Sequence, residues 1–253
     1  MIELKSPTQL DSMREAGRIV GELLERLRDA VAPGVTTQAL DDLARDTIAR
    51  LGGMPAFKGY RGFPGFICTS VNEEVVHGIP GPRKLKSGDI IGLDVGARVN
   101  GYYADAAITV PVGRVSDEAQ RLIDVTREAL MRGIAMAVPG RRLSDVSHAV
   151  QTAAEAAGFS IVREFVGHGI GAQLHEAPQI PNFGAPGTGP VLKTGMVLAI
   201  EPMVNAGRPE VEVLDDGWTA VTRDRRLSAH FEHSVALTEQ GLEILTQCPK
   251  KKR

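Results

Sequence analysis

Four acidic residues interrupt segments that are otherwise apolar and strand-like. Asp94 lies in IIGLDVGA, Asp105 in YYADAAITV, Glu201 in VLAIEPMV and Glu232 in HFEHSVAL. Burying an ionised carboxylate costs free energy unless the group is paired or binds a metal. One such acid would be explained by a hydrogen-bonded strand end, but four in one chain favour coordination. The pattern predicts a buried, oxygen-rich metal site.

The stretch GHGIGAQLHE adds two histidines, His168 and His175, with three glycines around the first. Three glycines within five positions disfavour a helix, because each costs about 1 kcal/mol relative to alanine. We therefore expect a strand or strand end that allows close backbone approach. A lone histidine is usually structural. As a neutral fifth ligand, however, His168 completes a set with a summed charge of −4, which matches two divalent cations of Mn, Fe, Co or Zn.

Composition limits the function classes. The chain has 253 residues, 43% hydrophobic and 24% charged, with a formal net charge of −2. It contains no apolar run of membrane-spanning length, and its N-terminus lacks the apolar core of a signal peptide. With only Cys68 and Cys248, disulfides are not expected, so we predict a cytoplasmic protein. Its near-neutral charge gives no sign of a nucleic-acid-binding surface, and the basic tail 249–253 is expected to be solvated.

Two stretches of the chain resemble each other. Superposing Pro33-Gly34 on Pro139-Gly140 aligns AVAPGVTTQALDDLARDTIARLGG with MAVPGRRLSDVSHAVQTAAEAAGF. In both, apolar-periodic segments flank the Pro-Gly and the second ends at a glycine, which is typical of helices. Strand-like runs follow: DIIGLDVGARV and YYADAAITVPV, then MVLAIEPMV and EHSVALTE. Although few positions align, and coincidence stays open, we predict one α+β domain over 1–253, with half-repeats at about 8–112 and 116–246.

Five motifs follow one another along the chain: SVNEEVVHGIP, GLDVGARVNGYYADAAIT, GHGIGAQLHEAPQIPN, LAIEPMVNAG and DGWTAVTRDRRLSAHFEHSVALTEQG. Together they resemble the motifs of type I methionine aminopeptidases. The resemblance runs from about residue 3 to residue 246. It implies the pita-bread fold, in which two pseudo-symmetric halves surround a dinuclear metal site. It also implies a metal-dependent enzyme that removes the N-terminal methionine of nascent proteins when the second residue is small. By position, the metal ligands are Asp94, Asp105, His168, Glu201 and Glu232.

The same resemblance implies further roles. His77 and His175 match histidines that contact the substrate, and Glu201 is expected to act as general base for the attacking water. We expect a monomer in the cytoplasm that meets nascent chains, with a transient ribosome contact. The pocket for the N-terminal side chain is expected to be lined by Phe57, Tyr60, Phe63, Cys68, Leu174 and Trp218.

Some positions depart from the family pattern. Ala106-Ala107 stands where the family often has hydroxyl residues, and His230 where it often has Gln. Phe57 is bulkier than the residue often found there. We expect His230 and His233 to support the site or the fold, and His148 to be structural. The pocket aromatics could equally be core. Two other functions stay open: a proline-specific or creatine-cleaving hydrolase of the same fold, and a non-catalytic binding module.

Overall fold

The computed structural model describes residues 1–247, so Cys248 and the basic tail at 249–253 lie outside the described residues. Four α-helices, one short 3-10 helix (Tyr60–Gly62) and fifteen strands are found within this part of the chain. The helices are α1 (Pro7–Ala30), α2 (Thr37–Arg50), α3 (Asp117–Met136) and α4 (Leu143–Ala156). The strands are β1 (Met54–Pro55), β2 (Ile67–Val71), β3 (Glu74–Val76), β4 (Ile90–Val99), β5 (Tyr102–Pro111), β6 (Ser160–Ile161), β7 (Gly167–Gly169), β8 (Glu176–Ile180), β9 (Val197–Ile200), β10 (Met203–Asn205), β11 (Val211–Val213), β12 (Ala220–Thr222), β13 (Ser228–His230), β14 (Glu232–Thr238) and β15 (Gly241–Ile244).

The helices form two pairs that are built alike. A serine caps the start of each first helix: the Ser6 hydroxyl accepts from the N–H of Gln9 in α1, and the Ser116 hydroxyl accepts from the N–H of Ala119 in α3. Such caps satisfy donors that the first helical turn leaves free. In the two interhelical turns, Gly34 and Gly140 have φ values of 91° and 93°, a left-handed conformation that glycine adopts without a Cβ penalty. The predicted helices on both sides of each Pro-Gly are confirmed.

The strands form one nine-stranded sheet and two three-stranded sheets. The main sheet runs in the order β1-β4-β5-β14-β9-β7-β8, with β2 beside β4 and β15 beside β14. Its strand pairs are antiparallel. The hairpin β4–β5 turns at Asn100-Gly101, where both residues have positive φ, as tight hairpin turns require. The smaller sheets are β13-β10-β6 and β11-β12-β3.

The predicted run MVLAIEPMV is not a single strand. It divides into β9, in the main sheet, and β10, in a three-stranded sheet, with Glu201-Pro202 between them. Proline has no N–H to donate to a strand ladder, so the chain leaves the main sheet at this point. GHG at Gly167–Gly169, in contrast, forms strand β7, as the glycines predicted.

The core is divided between the two helix pairs. One buried cluster includes Leu23, Leu40 and Ile91 and is built on α1, α2 and the β4–β5 hairpin. A second includes Leu122, Val146 and Leu198 and is built on α3, α4 and β9. Both clusters pack on one face of the main sheet, because Ala106 of the first cluster is paired with His233, which shares a face with Val235 of the second. The α+β prediction is confirmed. No helix within residues 1–247 combines the length and apolarity needed to cross a membrane.

Candidate metal centre and active site

Three of the predicted acids lie on neighbouring strands of the main sheet. Asp94 on β4 is paired with Ala107 on β5, and Glu232 on β14 is paired with the same alanine. Asp105 lies two residues before Ala107, and side chains two apart point to the same face of a strand. The sheet register therefore brings these carboxyl groups together, although they are up to 138 positions apart in sequence.

Ser234 orients the Asp105 carboxylate. Its hydroxyl donates to Oδ1 of Asp105 at 2.9 Å and accepts from the backbone N–H of the same residue at 3.1 Å. Ser234 is fully buried, and Asp105 is only 3% exposed. The sequence interpretation did not include Ser234. Its place two residues after Glu232 on the same strand was the signal that could have found it, because such residues share a face.

His168 lies on β7 and presents one ring nitrogen to the acids. Its Nδ1 lies 3.0 Å from the carbonyl of Gly169, which can only accept, so Nδ1 carries the proton of the neutral ring. Burial lowers the pKa of His168 to about 4, so Nε2 holds a free lone pair at neutral pH. This Nε2 lies 3.6 Å from Oδ2 of Asp105 and 3.5 Å from Oε1 of Glu201. Asp105, His168 and Glu232 can each offer one ligand atom, and these three atoms lie within 4.8 Å of one another.

Glu201 lies at the corner between β9 and β10. The side-chain amide of Asn182 donates to its backbone carbonyl at 3.0 Å, which fixes the corner. Oε2 of Glu201 lies 3.7 Å from Nε2 of His230, which is too far for a hydrogen bond. That Nε2 is buried and has no hydrogen-bond partner among residues 1–247. His230 therefore lies behind the Glu201 carboxylate, as a supporting residue would.

The acids have no cationic counter-charge nearby. Within residues 1–247, no Lys or Arg lies within 4 Å of these carboxylates. Burial, reinforced by the neighbouring acids, raises the pKa of Asp94, Glu201 and Glu232 well above the usual range. For Asp105, burial raises the pKa to about 6. The Oδ1 atom of Asp94 is buried and has no hydrogen-bond partner in the described part of the chain. Such a group of carboxylates and one neutral imidazole fits divalent cations.

A cavity of about 150 Å³ opens over these acids. It brings together every residue predicted for the metal site and every residue predicted for substrate contact, together with Arg61, which the sequence interpretation did not include. The predicted residues on its lining are Phe57, Tyr60, Phe63, Cys68, His77, Asp94, Asp105, His168, Leu174, His175, Glu201, Trp218 and Glu232.

The two predicted substrate histidines lie on different sides of the cavity. His175 is solvent-exposed at the rim, and its Nδ1 lies 2.9 Å from the hydroxyl of Tyr60. Its pKa is lowered by desolvation and by the nearby His168. His77 packs edge-on against Phe165 and Trp218 at centroid distances of 5.5 and 6.2 Å, and burial lowers its pKa. Both rings are therefore neutral near pH 7.

The positions that depart from the family pattern have distinct surroundings. Ala106 is part of the buried apolar cluster on α1 and α2, whereas Ala107 lies between Asp94 and Glu232 in the sheet. Phe57 packs so closely on Gly96 that a Cβ there would lie 2.8 Å from the phenyl ring.

The two remaining histidines of interest lie away from the cavity lining. Nδ1 of His148 lies 3.3 Å from the carbonyl of Gly184, and Nδ1 of His233 lies 2.8 Å from the hydroxyl of Thr246. Both contacts tie the histidine to a neighbouring segment. This geometry agrees with structural roles for both rings.

Comparison with known proteins identifies the family. The model of metallopeptidase family M24 matches residues 11–239. Methionine aminopeptidase 1 of Bacillus subtilis is 56% identical to the chain, over 98% of this chain and all of that protein. The chain belongs to the methionine aminopeptidases of metallopeptidase family M24. A methionine aminopeptidase of Clostridium perfringens is 53% identical, over 97% of this chain and 99% of that one. The family predicted from the motifs is confirmed.

Solved structures give the same result for the fold. The methionine aminopeptidase of Thermotoga maritima superposes with a TM-score of 0.96 at 50% identity, covering 98% of this chain and all of the other. A prolidase of Pyrococcus furiosus superposes with a TM-score of 0.79 at 21% identity, covering 98% of this chain and 66% of the prolidase. The prolidase likeness concerns the fold alone. These comparisons confirm the pita-bread fold, and membership of a metallopeptidase family implies divalent metal.

Proposed function

We propose that this chain removes the N-terminal methionine from peptides by metal-dependent hydrolysis when the second residue is small. The observation that carries the proposal is the convergence of four carboxylates and a neutral His168 beneath one cavity with an aromatic wall. Its family relatives support the same activity. A non-catalytic binding module would have no need to keep this complete donor set.

Charge supports two divalent ions at this site. Four deprotonated carboxylates carry −4, which two divalent ions balance, whereas one ion would leave two buried negative charges. When bound, such ions lower the pKa of water and polarise a carbonyl. Co, Fe, Mn and Zn all suit this mixture of oxygen and imidazole donors. The proposed ligands are Asp94, Asp105, His168, Glu201 and Glu232.

The wall of the cavity would hold the methionine side chain. Phe63 and Trp218 meet edge to face at 5.1 Å between ring centroids, and Leu174 is buried beside them in the lining. Such surfaces favour an unbranched apolar side chain. Cys68 also lines the cavity, and burial raises the pKa of its thiol, so it contributes there as a neutral apolar group. The proposed lining is Phe57, Tyr60, Phe63, Cys68, Leu174 and Trp218.

The proposed role of each histidine depends on which of its ring nitrogens can reach the substrate. If the Tyr60 hydroxyl donates to Nδ1 of His175, the Nε2–H of His175 is available to donate. We assign this donor to the substrate carbonyl as it gains negative charge. His77, neutral and held between aromatic rings, would contact the substrate from the other side. Glu201 would accept the proton of the attacking water.

The cellular setting is part of the same proposal. N-terminal methionine is presented by nascent chains, which supports a cytoplasmic location and a transient contact with the ribosome. We propose a monomer in which one chain supplies every proposed ligand and lining residue. A single domain made of two half-repeats is proposed on the likeness of the two helix pairs.

Cleavage assays test the proposal directly. Met-Ala-Ser and Ala-Pro peptides are offered to enzyme that has been stripped with a chelator and to the same enzyme after Mn²⁺ or Co²⁺ is restored. We expect Met-Ala-Ser to be cleaved only with metal, and Ala-Pro not to be cleaved. Full activity in enzyme shown metal-free by elemental analysis contradicts the proposal, and preferred cleavage of Ala-Pro supports the proline-specific alternative.

A further inference from the structure

Hydrogen bonds from the backbone and from side chains hold the turn that carries His175. Residues 170–175 connect β7 to β8 without regular secondary structure. The N–H of Tyr103 donates to the carbonyl of Gly171 at 2.9 Å, and one further backbone bond closes the turn on itself. In addition, the N–H of Gln173 donates to Oε1 of Glu176 at 3.0 Å. The Glu176 carboxylate is therefore one of the fixed points of the turn.

Lys5 holds that carboxylate from a distant part of the sequence. Its Nζ lies 2.6 Å from Oε2 of Glu176, and its side chain is only 1% exposed. The backbone N–H of Lys5 donates to the carbonyl of Gly195 at 2.7 Å, which fixes the segment that precedes α1. The other carboxylate near Nζ, that of Glu3, is 3.4 Å away and 54% exposed. Glu176 is therefore the main partner of this buried ammonium group.

The stem of Lys5 also packs directly on the turn. A Cβ at Gly171 would lie 2.1 Å from Cε of Lys5 and 2.9 Å from Oε1 of Glu176. No side chain larger than that of glycine can therefore be placed at Gly171 while Lys5 remains where it is. The turn, the lysine stem and the carboxylate fill one small volume together.

We propose that Lys5 is a positioning residue that holds the turn of His175, acting through Glu176. This inference rests on the proposed function, because it assigns Lys5 a part in the same reaction. Glu176 immediately follows His175, so its carboxylate fixes the backbone from which the His175 side chain projects. Lys5 keeps that carboxylate in place by neutralising it.

Removing the ammonium group should release the turn. A mostly buried carboxylate that loses its partner is costly and turns toward water. In doing so, it would give up the bond from the N–H of Gln173. Displacing a catalytic group by about 1 Å can cost about 10²-fold in rate. Lys5 makes no contact with the metal ligands, so metal content should not change.

The primary test is Lys5→Met, which removes the charge and keeps an unbranched side chain. We expect kcat on Met-Ala-Ser to fall about tenfold or more, with a smaller change in KM, because the affected donor acts as charge develops. Metal content should equal that of the wild type. Hydrogen–deuterium exchange should become faster in the peptide that contains residues 171–176.

A second variant separates positioning from general stability. In Lys5→Met/Glu176→Gln, the neutral amide still accepts from Gln173 and no longer needs a counter-charge. We expect it to recover most of kcat. The matched control is Arg14→Met, which breaks an ion pair between α1 and Glu243 (2.8 Å) outside the cavity lining. It should leave kcat unchanged.

The outcomes are decisive in each direction. Normal kcat in Lys5→Met overturns the inference, even if exchange in the turn becomes faster. An equal loss of kcat in Arg14→Met, or no recovery in the double variant, also overturns it, because the effect would then be one of stability or of the lost ammonium group itself. A wild-type enzyme that fails to cleave Met-Ala-Ser contradicts the proposed function instead, so the two failures are distinguishable.

Discussion

The rings of His168 and His175 lie 4.2 Å apart between centroids, yet their nitrogens have different partners. Nδ1 of His168 is bound to a backbone carbonyl, which leaves Nε2 for the acids. Nδ1 of His175 is bound to the Tyr60 hydroxyl at the exposed rim. Two adjacent imidazoles are therefore prepared for two different tasks.

This difference predicts different losses on substitution. His168→Ala should lose bound metal and activity together, because it removes a proposed ligand. His175→Ala should keep its metal while kcat falls about 10²–10³-fold, the usual cost of one lost oxyanion donor. Elemental analysis beside steady-state kinetics measures both quantities. Loss of metal from His175→Ala to the same extent as from His168→Ala contradicts the assignment.

Glu201→Gln keeps the size of the side chain and removes both its basicity and its negative charge. We expect it to lose nearly all of kcat and to weaken the binding of at least one metal ion. Calorimetric titration with Mn²⁺ and a kinetic assay at saturating metal separate the two effects. If activity at saturating metal stays within about tenfold of the wild type, Glu201 is not the general base.

The stability of the metal-free protein should depend on pH in a defined direction. Burial raises the pKa of Asp94, Glu201 and Glu232, whereas it lowers those of His168 and His230 to about 4 and about 3. Below pH 6.5, the ordinary pKa of histidine, the carboxyl groups make stability fall as the pH rises, whereas the histidines make it rise. Above it, the histidines are neutral in both states, whereas the buried carboxyl groups with raised pKa values, Asp105 included, still bind protons more strongly in the folded protein.

Since the folded state then holds more protons than the unfolded state, stability falls as pH rises. We expect the Tm of metal-free protein to decrease from pH 6.5 to about pH 8.5. Bound Mn²⁺ should reduce this dependence, because it neutralises the same carboxylates. Glu201→Gln is the matched variant and should show a shallower decrease. A Tm that rises over this interval contradicts the charge arrangement described here.

Substrate specificity tests the cavity. Met-Gly, Met-Ala and Met-Ser peptides should be cleaved much faster than Met-Leu or Met-Lys peptides, as the proposed preference for a small second residue requires. Phe57→Ala, which removes the ring packed on Gly96, should relax the choice of N-terminal side chain without changing metal content. The measurement is kcat/KM across a peptide series. Equal values for small and large second residues contradict the proposed specificity.

Much of the site could be predicted because buried charge is rare in apolar strands. Asp94 and Asp105 were conspicuous in their runs, and the glycines around His168 excluded a helix. The break at Pro202 could also have been predicted, since proline ends a strand ladder. Lys5, in contrast, carried no local signal, and Ser234 carried only one, its place two residues after Glu232. Their importance arises from pairing across 129 and 171 positions, which periodicity within one segment does not reveal.

The register of the main sheet has a consequence for the lifetime of the protein. Strands β5 and β14 join the two halves of this sheet through two residue pairs, at Ala106 and Ala107. The proposed ligands lie on both sides of that seam, with Asp94 and Asp105 on one side. Bound ions would therefore cross-link the halves, and their binding free energy would add to the stability of the whole chain. In a cell starved of divalent metal, we expect the seam to open more often and proteases to remove the protein faster.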